Sequence, residues 1–301
     1  MRHIKPYQEL FEDRGGATAL TKEQISWLGE CRGTGFYHAS STEIWKLNSQ
    51  TGLVDVDGHF NCGRQDLTDF KGIRFGHVKG NFYCDENQLT SLEGAPRSVD
   101  GNFYCNLNQL TSLVGAPKSV GGSFYCGTNE LTSLVGAPES VNRSFWCSSN
   151  SLTSLKGAPQ EVGGDFVCDR NSLTSLEGSP QRVGGYFVCD RNSLTSLKGA
   201  PRTIKMNFSC NINQLTSLEG APRTVDGDFD CEYNPVSESA LKAIFGLMKG
   251  GKTYQQALER YWPKMSYEDK SLMYKDHSSL TPEEVREYKA LATYNNIKGY
   301  L

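Results

Sequence analysis

A step of 21 residues governs this chain. The stretch Asn87-Gln88-Leu89-Thr90-Ser91-Leu92-Glu93-Gly94-Ala95-Pro96-Arg97-Ser98-Val99-Asp100-Gly101-Asn102-Phe103-Tyr104-Cys105 begins again, nearly word for word, at Asn108. Its phenylalanine falls at 60, 82, 103, 124, 145, 166, 187, 208 and 229, each with a cysteine two residues on. After one step of 22 the spacing is always 21. Self-similarity at such a period marks stacked units, none of which can bury its apolar side chains alone.

Within a unit, Phe-x-Cys alternates and predicts a short strand, with its first and third residues facing inward and the middle one outward. Leu110, Leu113, Pro117 and Val120 line a return path turned by Gly115-Ala116-Pro117 and Gly121-Gly122. No stretch inside a unit is long enough, or free enough of Gly and Pro, for a regular helix. The repeat therefore predicts a solenoid in which nine strands form one parallel sheet about 40 Å long, at about 4.7–4.9 Å per strand. The return segments are mostly non-helical, and columns of Phe, Cys, Leu and Val fill the interior.

These residues carry a family resemblance over 56–234. Asn-x-Leu-Thr-Ser-Leu, then Pro, then an apolar-x-apolar strand, resembles the short bacterial leucine-rich repeat of the YopM and IpaH effectors, with Phe-x-Cys where that pattern has Leu-x-Val. The Leu-Thr-Ser-Leu-x-Gly-Ala-Pro wording is also similar to leucine-rich-repeat-like proteins of tailed bacteriophages. The resemblance implies a leucine-rich-repeat-like fold, a bacterial or phage origin, and partner binding by the solenoid. Function does not follow from such a scaffold alone. IpaH proteins carry a ubiquitin-ligase domain with a catalytic cysteine after the repeats; here the last cysteine is Cys231, within the final strand, so that activity is not implied.

The formal net charge of −3 gives no case for general nucleic-acid binding, which needs a basic stripe. The start, Met1-Arg2-His3-Ile4-Lys5-Pro6-Tyr7, has no apolar leader, and no segment approaches the ~20 apolar residues of a membrane helix. The expected location is the cytoplasm, that of a bacterial host if the chain is phage-encoded. Nine of the ten cysteines lie in register and only Cys31 stands apart. A ladder of this kind lacks the converging ligands of a metal site and the context of a disulfide framework, so the thiols read as reduced, buried apolar groups.

Outside the repeat, residues 1–55 are expected to form an N-terminal cap. Thr21-Lys22-Glu23-Gln24 is a capping box for a helix with Ile25, Trp27, Leu28 and Cys31 on its apolar face. Ile44, Trp45 and Leu47 follow without a clear period. The first unit departs from the pattern, with Gln65 for the Asn, Phe70 for the second Leu and Ile73-Arg74-Phe75 for Gly-Ala-Pro, as expected where a repeat meets a cap. After Asn234-Pro235, helical spacing begins: Leu241, Ile244, Phe245 and Met248 predict one helix, Thr253-Tyr254-Gln255-Gln256 starts a second, and Thr281-Pro282-Glu283-Glu284 a third. Residues 235–301 are thus expected to be an all-α domain.

Candidate chemistry is sparse. Gly246-Leu247-Met248-Lys249-Gly250-Gly251-Lys252-Thr253 spells a phosphate-binding loop, but a helix leads into it where that motif needs a strand. Helix capping at Gly250-Gly251 and Thr253 accounts for the same letters. His3, His38, His59, His77 and His277 show no metal-pair spacing, so neither metal, cofactor nor catalytic group is expected. Asn87, Asn108, Asn129, Asn150, Asn171, Asn192, Asn213 and Asn234 sit just past each strand and are expected to be structural, bonding backbone groups at the turn.

The informative positions are those the repeat leaves free. Between Phe and Cys stand Asn61, Tyr83, Tyr104, Tyr125, Trp146, Val167, Val188, Ser209 and Asp230. Tyr83, Tyr104, Tyr125 and Trp146 would align on the outer face, with Asp85, Asn106, Asp169 and Asp190 beside them and then Arg170 and Arg191. Tyr, Trp and Arg are over-represented at interface hot spots, although aromatic residues also stiffen sheets by stacking. The expected function is docking of a partner protein, a host factor on the resemblance, through Tyr83, Tyr104, Tyr125, Trp146, Arg170 and Arg191. Two alternatives are sequestration of a small nucleotide-like ligand on the same strip and nucleotide binding through 246–253. The sequence leaves the partner and the oligomeric state open.

Overall fold

The structure is a computed structural model that describes residues 19–31, 45–216, 219–231 and 233–235. The expected C-terminal helices and the loop 246–253 lie outside the described residues. Those described form a parallel β-solenoid of 21-residue units with little helix.

Each coil of the solenoid contributes to two sheets. The Phe sheet has nine strands, from Phe60–Asn61 to Phe229–Asp230, all parallel, with like residues paired in register: Phe82 opposite Phe103, Tyr83 opposite Tyr104. This is the sheet the repeat predicts. A second sheet of ten strands runs along the return path and is an addition to that prediction. Its repeating element is a two-residue piece such as Ser98–Val99 or Ser119–Val120, each paired with its equivalent one unit on. Two residues are too few for alternation to be visible, so the pairing exists only between units.

Backbone groups are satisfied along the solenoid axis. In the Phe sheet N–H groups donate forward, from Phe103 to the Ser123 carbonyl at 2.9 Å and from Cys105 to that of Tyr125 at 2.8 Å. On the return, Lys118 donates back to Arg97 at 3.0 Å and Gly121 to Val99 at 2.9 Å. The motif asparagine links coils as well as closing its own turn. Asn192 accepts from the Leu173 N–H at 3.0 Å and donates to the carbonyls of Cys168 at 3.1 Å and Cys189 at 3.0 Å. Equivalent bonds recur from Asn87 to Asn234, as expected for a structural ladder. The residue before each asparagine is left-handed without being glycine, from Glu86 (φ 52°) to Tyr233 (φ 56°).

Between the sheets lies one dry core. The phenylalanines stack in a single file, with successive ring centroids 5.0 to 5.5 Å apart from Phe60 to Phe229. Each fully buried ring is worth about 1.5–3 kcal/mol by burial alone, and parallel-offset contacts add to that. Leu110, Leu113 and Val120, with their equivalents, pack behind it. The Gly of each Gly-Ala-Pro turn is obligatory: at Gly136 (φ 92°) a Cβ would lie 2.4 Å from the Val114 nitrogen of the preceding coil.

The N-terminal end is closed in two ways. Helix α1 (Lys22–Glu30) has its predicted capping box, with Thr21 and Gln24 bonded reciprocally. Its Trp27 packs edge-on against Phe60 at 5.9 Å and donates to Gln65 Oε1 at 2.9 Å, so the substitution of Gln for Asn in the first unit serves this contact. Strand β1 (Trp45–Asn48) runs antiparallel to β2 (Leu53–Val56), which opens the return sheet by pairing in parallel with β3 (Phe75–Val78). Strand β1 thus covers the edge of β2 and becomes the terminal strand of the sheet, antiparallel to the rest.

All ten cysteines are free and buried. Several column thiols donate to the next strand, Cys84 to the Tyr104 carbonyl at 3.1 Å and Cys189 to that of Ser209 at 3.3 Å. Burial pushes their pKa values up, and that of Cys31 to about 12.

Three outcomes follow for the fold. Asn192→Ala, by leaving the Leu173 N–H and two carbonyls unpaired, should lower stability by about 2–4 kcal/mol in urea unfolding. A thiol reagent should find no fast-reacting cysteine in the native protein and all ten in denaturant. Because only the unfolded chain ionises its thiols readily, stability should fall as pH rises past the ordinary thiol pKa.

Candidate binding face

The strands expose one face of the Phe sheet, and its chemistry is set by columns that run along the axis. The residue before each Phe forms a polar ladder. Asn81 Oδ1 accepts from the Asn102 N–H at 2.8 Å, Asn102 Oδ1 from Ser123 at 2.7 Å, and Asp165 Oδ1 from Tyr186 at 2.9 Å. These side chains extend the hydrogen-bonding of the strands sideways and stiffen the face.

The aromatic column stands next to it, as the repeat predicts. Tyr83 and Tyr104 stack at 4.7 Å with 6° between planes, and Tyr104 and Tyr125 at 4.6 Å and 1°. Tyr125 and Trp146 are 6.0 Å apart and tilted by 40°. Since stacked rings cover one another, the three tyrosines are half-buried and turn their edges outward, while Trp146 is exposed. The outward alternation weakens after Trp146: Val167, next in register, is only 7% exposed. Asn81 and Asn102 donate to the hydroxyls of Tyr83 at 2.7 Å and Tyr104 at 2.9 Å. Tyr125 has Ser123 in place of such an asparagine, and its hydroxyl makes no hydrogen bond among the described residues.

Part of this face is concave. A shallow trough of about 630 Å³ runs from Asp85 to Asp169, with Tyr104, Tyr125 and Trp146 on one side and Leu107, Thr128 and Arg170 on the other. Gly127 makes the dip at its centre, because the same column carries Asp85, Asn106, Ser148 and Asp169 in neighbouring coils. Beside that dip the Ser148 hydroxyl oxygen is buried and has no hydrogen-bond partner among the described residues. Arg170 Nε lies 3.7 Å from Asp169 Oδ2, a long pair between an exposed guanidinium and a half-buried carboxylate. Burial raises the carboxyl pKa of Asp85.

Of the six residues expected from the sequence, four line this trough: Tyr104, Tyr125, Trp146 and Arg170. Tyr83 continues the stack beyond its end, and Arg191 stands exposed one coil past Arg170 in the left-handed column. The dip at Gly127 and the Ser148 hydroxyl escaped sequence reasoning. The available signal was a glycine among Asp, Asn and Ser in one column.

One constellation arises that sequence spacing hides. On the opposite sheet, His77 Nδ1 is 2.9 Å from Ser98 Oγ and His77 Nε2 is 3.1 Å from Asp100 Oδ2. The His77 and Asp100 side chains are 42% and 60% exposed. A nucleophile needs a desolvated pocket and oxyanion donors, so this trio reads as a polar clamp between two coils. No group of three or more His, Cys, Asp or Glu able to hold a metal occurs among the described residues. Nor is any described helix long and apolar enough to cross a membrane.

The geometry thus defines a parallel β-solenoid of 21-residue coils with an aromatic, partly concave strand face. No family model matches the sequence, and no curated protein matches it. Among solved structures it is similar to YopM from Yersinia enterocolitica WA-314, with 18% identity over 56% of this chain and 42% of that one, at a TM-score of 0.39. The chain therefore spans less than half the length of that protein.

Asp85 offers a direct test of the face. Its raised pKa means that the ionised carboxylate costs the folded state stability above that pKa, and that the cost disappears as acid protonates it. Asn occupies this position one coil on, so Asp85→Asn should fit. It should raise the melting temperature at neutral pH, with the gap closing as pH falls below the carboxylate range.

Proposed function

We propose that this protein is an interaction module that docks a partner protein on the open face of its Phe sheet. Tyr83, Tyr104, Tyr125 and Trp146 form the contact stripe, with Arg170 and Arg191 along its margin. The observation that carries this reading is the run of four aromatic side chains in adjacent strands, aligned without interruption on a face that no described element covers. Aromatic anchors of this kind supply large contact area at low cost in conformational entropy.

The stacking also favours a protein over a small nucleotide-like ligand. A base needs an open ring face, and the faces of Tyr83, Tyr104 and Tyr125 are largely occupied by one another. An open, elongated strip suits a polypeptide better than an enclosed small molecule. In this reading 1–55 caps the solenoid of 56–234, and 235–301 forms a helical domain that closes its far end. The sequence resemblance to bacterial effectors and phage proteins supports a host factor as partner and the host cytoplasm as location.

The decisive variant is Tyr104→Ala combined with Tyr125→Ala. It should retain the far-ultraviolet circular dichroism and a cooperative melt, yet lose at least about tenfold in affinity for a partner captured from host extract. Unchanged affinity in a folded double variant would rule out the stripe, and a heat-released nucleotide with no captured protein would favour the small ligand.

A further inference from the structure

The trough restricts the kind of partner segment that this face accepts, given that the face is a docking surface. Its carboxylates stand at opposite ends: Asp85 at one, Asp169 at the other, with the dip at Gly127 midway between them. From Asp85 to Asp169 there are four coils, or about 19 Å at 4.7–4.9 Å per strand. An extended chain covers that distance in about six residues. Between the ends the wall is aromatic, and the lining includes the hydroxyls of Tyr125 and Ser148, which have no hydrogen-bond partner among the described residues.

We infer that the trough takes an extended segment of about six residues from the partner, lying along the solenoid axis, with a Lys or Arg near each end and a smaller side chain entering the dip at Gly127. Charge complementarity is the argument for a basic segment. Asp85 is half-buried, and its own backbone N–H and the charge of the exposed Arg64 offset only part of the cost of burial, so a bound ammonium or guanidinium would compensate the remainder. At the other end Arg170 shows that a guanidinium fits beside Asp169, at 3.7 Å, while remaining 62% exposed and loosely held. The aliphatic stem of a Lys or Arg packs well on ring edges, and its head is attracted by the open face of Trp146.

The test uses the full-length protein and three fluorescein-labelled hexapeptide libraries with randomised central positions, carrying Lys, Ala or Glu at both terminal positions. Fluorescence polarisation should rank Lys well above Ala, and Ala above Glu. Asp85→Asn with Asp169→Asn should weaken the Lys library about tenfold and flatten its salt dependence. Glu177→Gln, which removes one negative charge from a turn elsewhere, should not. Gly127→Asn, a residue the column accepts at Asn106, should weaken all libraries by filling the dip while the melt stays cooperative. If the Ala library binds as tightly as the Lys library, and the Tyr104/Tyr125 double variant abolishes both, the basic-segment inference fails and the docking face stands. If no library binds, the inference also fails, and the captured partner alone decides the docking reading.

Discussion

Registry between coils is the constraint on which everything else in this molecule depends. No coil has enough internal hydrogen bonding to hold its own shape; its N–H groups and carbonyls are satisfied by the coils before and after it. The asparagine amide fixes that registry. Bonded to four backbone groups in two coils, it sets where the strand ends and the return begins, and the left-handed residue before it completes the turn. Once the amides are aligned, Phe falls on Phe, Cys on Cys and Leu on Leu, and the core is packed by repetition of one set of contacts. A mismatch of one residue would expose the phenylalanine file and bury the outer aromatics.

Axial order of this kind also shapes the outer face. Side chains at the outward position have no choice of neighbour: each meets its counterpart one coil away. Three tyrosines in succession therefore stack, and their common plane is set by the backbone rather than by the rings. Where the sequence changes, Tyr125 has Ser123 beside it in place of an asparagine, and Gly127 leaves one side chain out of a column that lines the trough.

Much of this was legible in the sequence. The period and the Phe-x-Cys alternation located the strands, the inward columns and the aromatic stripe, and Thr21 with Gln24 located the start of the helix. What escaped is what arises only between coils. A two-residue strand such as Ser119–Val120 has no signature of its own, since its identity comes from pairing with Ser98–Val99 and Ser140–Val141. The trough was hidden for a related reason. Gly127 looks ordinary within its own coil and becomes a dip only against Asn106 and Ser148 on either side. His77 is far in the chain from Ser98 and Asp100 yet meets both because 21 residues of sequence amount to one step in space.

The uniform coil has a consequence for how such a molecule changes over generations. Because every junction from one asparagine to the next presents the same backbone groups, a whole coil can be inserted or excised within the regular array without creating a new kind of contact in the interior. Such an event would leave the core unaltered and slide one group of surface residues past another by a fixed increment. The distance between Asp85 and Asp169 is then a quantity that heredity can adjust in discrete notches, as on a ruler, while the identity of each notch is tuned separately by point substitution.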